Sequence, residues 1–101
     1  MSLVQLTLVA PANLEEILAE YLLAHPEWGG AFTLLRAEGR GSRDHALTPR
    51  EQVRGRVSRA KFKVVLEADA AGRLLDELKR AFPRRDVAYW LTPVIEFGRL
   101  G

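Results

Sequence analysis

The chain has 101 residues, 48% of them hydrophobic and 28% charged, with a formal net charge of +2. That length fits one domain, residues 1–101, with one core, and so small a domain buries only roughly two-thirds of its unfolded surface, so self-association is a physical route to further burial. The lack of cysteine excludes a disulfide framework, a thiol nucleophile and cysteine-ligated zinc, while the lack of a basic leader or of an apolar run near the roughly 20 residues of a membrane span predicts a soluble, unprocessed, cytoplasmic protein.

Residues 2–9 alternate in polarity, with Val4, Leu6 and Leu8 on one face and Leu3, Gln5 and Thr7 on the other. This period of two predicts a half-buried strand. Asn13 with Glu16 three positions later reads as a capping box, and Leu14, Ile17, Leu18, Tyr21 and Leu22 follow at helical spacing. The helix is expected to stop near His25-Pro26, with His25 in a capping role, before Gly29-Gly30 turns the chain. Residues 31–38 predict a second strand, and 39–55, rich in Gly, Ser, Pro and charge, a long loop in which Thr48 and Glu51 can cap one helical turn.

From Arg56 to Glu67 alternation returns, with Val57, Arg59, Lys61 and Lys63 on one face and Ala60, Phe62, Val64 and Leu66 on the other. Asp69 is the expected N-cap of a second helix carrying Leu74, Leu75, Leu78, Ala81 and Phe82, which Pro83 ends. Residues 87–92 predict a fourth strand, with Val94 to Phe97 as a short C-terminal edge strand beyond Pro93. The order β-α-β-β-α-β specifies an α+β, ferredoxin-like fold, a four-stranded antiparallel sheet covered by two helices on one face.

Charge is unevenly spread. Between Arg36 and Lys63 nine Lys or Arg stand against three acids (Glu38, Asp44, Glu51), a local charge of +6, whereas the rest of the chain carries six bases and ten acids, or −4. Arginine forks hold phosphate or carboxylate bidentately, and Gly39 and Gly41 permit close backbone approach, so Gly39, Arg40, Gly41, Arg43, Arg54, Arg56 and Arg59 are the candidate contacts for a small anion. A solvated loop whose arginines pair with neighbouring acids is the plainer alternative.

Nucleic acid is disfavoured, because the outward positions of the central strands offer Leu3, Gln5, Thr7, Arg59, Lys61 and Lys63 and no aromatic stacking platform. His45, near Asp44, is the candidate ligand for a divalent metal, but one histidine and one carboxylate make half a site, so closure needs a second subunit. Ser42 and His45 lack a third partner, and the glutamates of the first helix read as its solvated face, so no catalytic constellation is expected. The apolar residues Tyr89, Trp90, Val94, Ile95 and Phe97 are read as a subunit contact.

The motif His25-Pro26 with Gly29-Gly30-Ala31-Phe32, the loop Gly39-Arg40-Gly41-Ser42, the run Leu47-Thr48-Pro49-Arg50-Glu51-Gln52-Val53-Arg54-Gly55-Arg56 and the ending Tyr89-Trp90 to Pro93-Val94 together resemble a PII-like family of unknown function. Its genes often accompany heavy-metal efflux systems. The resemblance covers nearly the whole chain and implies a homotrimer, as in PII signalling proteins and the metal-tolerance protein CutA. It further implies a regulatory rather than catalytic role, with a small anionic ligand such as an adenine nucleotide in clefts between subunits and the 39–55 loop reaching toward a partner such as a membrane efflux component. A CutA-like metal-binding role is the alternative it carries. In place of the glycine-rich phosphate loop of typical PII proteins the chain has Pro83-Arg84-Arg85-Asp86, it has only Arg99 where they continue with further basic residues, and its long loop has no tyrosine to be nucleotidylated.

Overall fold

The computed structural model describes residues 2–26, 32–39 and 57–101. In chain order these form β1 (Leu3–Pro11), a 3-10 turn (Ala12–Leu14), α1 (Glu15–Leu23), β2 (Thr33–Gly39), β3 (Val57–Glu67), α2 (Ala68–Ala81) and β4 (Ala88–Val94). The strands lie in the order β2-β3-β1-β4, and each neighbouring pair is antiparallel. Thus β3 separates β1 from β2, and β1 separates β3 from β4. This is the split βαβ arrangement expected from the alternation of elements.

The register places the alternating apolar residues in one layer. Leu6 lies between Val64 and Leu91, and Leu8 between Phe62 and Tyr89. Leu6, Leu8, Ala10, Ala60, Phe62, Val64 and Leu66 pack from the strands against Leu14, Leu18 and Leu22 on one helical segment and Ala71, Leu74, Leu75 and Leu78 on the other. Each fully buried Leu or Phe contributes about 1.5–3 kcal/mol relative to exposure, so this layer fixes which sheet face the helices cover.

Local details depart from the sequence expectation where packing overrides capping chemistry. Pro11 feeds the chain into the 3-10 turn, Leu14 enters the core, and α1 starts with Leu14 at its N-cap; the Asn13 side chain makes no capping hydrogen bond. Likewise α2 follows β3 without a break, its first N–H (Ala68) donating to Ser2 O at 2.9 Å, so Asp69 sits in the first turn rather than at the cap. Its carboxylate still faces the positive end of the helix dipole.

The proposed break at Pro93 does not occur. β4 runs through Pro93 to Val94, and residues 95–101 form no strand, contrary to the expected Val94–Phe97 edge strand. An edge strand tolerates proline because alternate N–H groups there face away from the ladder. His25 fulfils its expected role: Nδ1 donates to Tyr21 O at 2.8 Å, and its ring stacks on Tyr21 with centroids 4.3 Å apart. No helix among the described residues is long and apolar enough to cross a membrane.

Candidate functional site

One end of the sheet collects the features that matter for anion chemistry. β1 and β2 finish there at Pro11 and Gly39, while β3 begins there, with Val57 opposite Gly39 and Arg59 opposite both Pro11 and Ala37. β4 starts at the same end, where Ala88 pairs with Val9. The chain between α2 and β4 therefore lies at the same sheet end as the base of the connection between β2 and β3, although the two are remote in sequence.

That α2–β4 turn is tightly tied. Phe82 N–H donates to Leu78 O at 2.7 Å to finish α2, Arg84 N–H donates to Phe82 O at 2.7 Å around Pro83, and Val87 N–H donates to Arg84 O at 3.3 Å. Proline suits the centre of the first tight turn because its φ is already fixed. The Arg84 guanidinium then grips Asp86 with two parallel bonds, Nε to Oδ1 at 2.9 Å and Nη2 to Oδ2 at 2.7 Å. This hydrogen bonding holds the Asp86 carboxyl below the usual carboxylate range and raises Arg84 above its ordinary value.

Arg59 reaches the same turn from the sheet. It is partly buried, with Nη1 shielded from solvent, and burial lowers its pKa while the Asp86 charge works in the opposite direction. An arginine remains charged under either influence, so the effect is a partly buried guanidinium at the same sheet end as a second arginine. Arg85, at the tip of the turn, is exposed. Arg59 and Arg84 about the Asp86 carboxylate leave this sheet end positive and suited to a carboxylate, phosphate or bicarbonate.

The face opposite the helices continues the positive character. Lys61 and Lys63 alternate outward with Arg59 along β3, and Lys63 pairs with Thr7, which pairs in turn with Trp90. Thr7 is only 1% exposed despite lying on the uncovered face, while Trp90 stays 43% exposed with Lys61 Nζ 5.7 Å from its ring centroid. Trp90 thus brings an aromatic surface to a sheet face whose two central strands have none, as expected, facing outward. Arg36, at the other side of β2, is instead 3.6 Å from Glu15 of α1, a surface pairing of small energetic consequence.

Of the candidate anion contacts, Gly39 and Arg59 are brought to this sheet end, with Gly39 closing β2. Arg40, Gly41, Arg43, Arg54 and Arg56, and the candidate metal ligand His45, lie outside the described residues. Among the described residues no group of three or more His, Asp or Glu side chains is arranged to hold a metal ion. Sequence reasoning did not assign Arg84 and Asp86 to the site. The available signal was two adjacent arginines and an acid immediately before a strand that must start beside β1.

The sequence profile of one family, described as "Protein of unknown function (DUF3240)", matches residues 1–101. No curated protein matches the sequence. Among solved structures, a DUF3240 family protein from Shewanella baltica OS155 superimposes with a TM-score of 0.76 at 22% identity, covering 100% of this chain and 99% of that one. CPII, a nitrogen regulatory PII-like protein from Thiomonas intermedia K12 bound to ADP, AMP and bicarbonate, gives a TM-score of 0.68 at 18% identity over 98% of this chain and 96% of its own. CutA from Synechococcus elongatus PCC7942 gives 0.68 at 10% identity, over 93% of this chain and 78% of its own. At these identities the likeness is one of fold.

Proposed function

The chain belongs to the DUF3240 family, and from that premise we propose that it is a non-catalytic, PII-like regulatory module of the cytoplasm. In this reading it works as a homotrimer that takes a small anion, with adenine nucleotides foremost, at the sheet end between subunits. Ligand contact with Gly39, Arg59 and the arginines of the 39–55 connection then biases the conformation of that connection toward or away from a partner, such as a component of a heavy-metal efflux system. A ligand can do this only through contacts that differ between the two states, and the reading is supported by a connection that starts at Gly39 and ends at Val57 at the same sheet end as Arg59.

The observation that carries the proposal is the partly buried Arg59, within the charge influence of the Asp86 that Arg84 grips, at the sheet end where the basic connection joins β3. A ligand phosphate or carboxylate there meets fixed donors rather than mobile surface chains. CPII, of similar fold, is bound to ADP, AMP and bicarbonate, which names the first ligands to try.

Thermal melts with ADP, AMP, ATP and bicarbonate test it. A ligand at 100 times its Kd adds about 2.7 kcal/mol, a shift of many degrees for a chain of this length. Arg59→Ala is expected to abolish that shift while leaving the ligand-free melt nearly in place. Identical melting curves with and without all four ligands would remove the anion reading. The competing occupant, a divalent metal, is separated by titrating Cu²⁺, Zn²⁺ and Co²⁺ into the wild type and His45→Ala.

A further inference from the structure

α1 and α2 cover the central strands, but β4 lies at the sheet edge, and its helix-side residues Tyr89 and Leu91 remain exposed. Between α2, the α2–β4 turn and β4 this leaves a groove of about 350 Å³. The volume lies within the roughly 300–1,000 Å³ typical of small-molecule sites. Its walls are apolar, formed by Leu18 of α1, Leu75 and Leu78 of α2, Phe82 at the helix end, and Val87 and Tyr89 leading into β4.

The polar groups of the lining are all of one sign. Lys79, Arg84 and Arg85 stand along it, with no Asp or Glu among the lining residues. Arg84 is already committed to Asp86. Lys79 sits with Nζ 5.2 Å from the Tyr89 ring centroid, so its charge is carried over the aromatic wall, and Arg85 is exposed at the turn. An apolar slot whose lining also carries the cations Lys79 and Arg85 is complementary to a molecule with an apolar body and one anionic head.

We propose that this groove is a binding site for an amphipathic monoanion, a carboxylate with an aliphatic or flat apolar body, whose body lies along Leu75, Leu78 and Phe82 and whose head meets Lys79 and Arg85. The groove is on the helix side of the sheet, whereas Arg59 projects from the opposite face, so a ligand in the groove does not compete with one held at Arg59.

Calorimetric titration of the whole chain with hexanoate, octanoate and decanoate below their micellar concentrations reads it directly. The expected result is one saturable site per chain, with affinity rising about fourfold for each added methylene until the groove is full. The matching neutral alcohols are expected to bind on the order of tenfold more weakly. The double variant Lys79→Glu, Arg85→Glu changes exposed positions only, so it should fold, lose the carboxylate preference and keep the affinity for the alcohols. Saturating ADP should leave octanoate affinity unchanged. Alcohols binding as well as carboxylates, a charge variant indistinguishable from wild type, or displacement by ADP would each overturn the proposal. So would carboxylate binding that emerges only when residues 95–101 are removed, because the groove would then be held by the apolar tail of a second copy.

Discussion

Asp86 is the residue on which the charge arrangement of the sheet end turns. It lies within the charge influence of both Arg59 and Arg84, and its doubly bonded contact with Arg84 holds it ionised to lower pH than an ordinary aspartate. A carboxyl whose folded pKa is depressed adds stability that is fully present above its unfolded value, near 3.9, and disappears as pH falls through the lower folded value. Asp86→Asn is therefore expected to melt below the wild type at pH 7, with the gap closing below about pH 4. Melting curves of both proteins between pH 7 and pH 2 check this, and a gap that persists at the acid end would show that Asp86 acts by shape rather than by charge. The same substitution removes the negative charge beside Arg59 and Arg84, so at neutral pH it should tighten anion binding even as it loosens the turn.

Among the elements, α2 illustrates how pattern and packing divide the work. Leu74, Leu75 and Leu78 face the core, and Gly72 lies outside that face at an exposed position. A Cβ built on Gly72 meets nothing within 4 Å, and its backbone is helical. Gly72→Ala should stabilise the protein by about 0.4–1 kcal/mol, chiefly by restricting the unfolded chain. The readout is a Tm raised by several degrees with an unchanged denaturant m-value, and a lowered Tm would mean that the exposed face of α2 is covered in the assembled protein. The strands were legible for the same reason as the helix: β1 and β3 are central, packed on one face, and so obey a period of two. What misled was local chemistry in competition with burial. Asn13 offers a cap, but anchoring Leu14 in the core shifts the helix start beyond it, and Pro93 reads as a stop in isolation but is admissible once β4 is known to be an edge. The candidate site was only half legible, since Arg59 stood out by charge while its juxtaposition with Arg84 and Asp86 exists only after β4 has been laid beside β1.

Across the molecule the helices bury one sheet face and leave the other open, and that open face has the mixture expected of a surface meant to be covered. Lys61, Lys63 and Thr33 make it polar toward one side, while Trp90, Leu35, Val9 and Val94 place apolar area beside them. Beyond it, Ile95 is 102% exposed and Phe97 is 57% exposed, so the apolar area runs on past the end of β4. Exposed aromatic area of this kind marks contact surfaces, and the aromatic at its centre is the residue whose loss costs most. In the trimer proposed above, Trp90 is that anchor. Sedimentation equilibrium is expected to show a trimer for the wild type and a shift to monomer for Trp90→Lys, which opposes three like charges to Lys61 and Lys63 across the contact. Because Trp90 lies on β4 and Arg59 on β3, the substitution leaves the anion-contacting arginines in place, yet it should still weaken nucleotide binding if the cleft needs two subunits. A Trp90→Lys monomer that retains full nucleotide affinity would place the whole site within one chain, and a wild type that sediments as a monomer would remove the intersubunit cleft altogether.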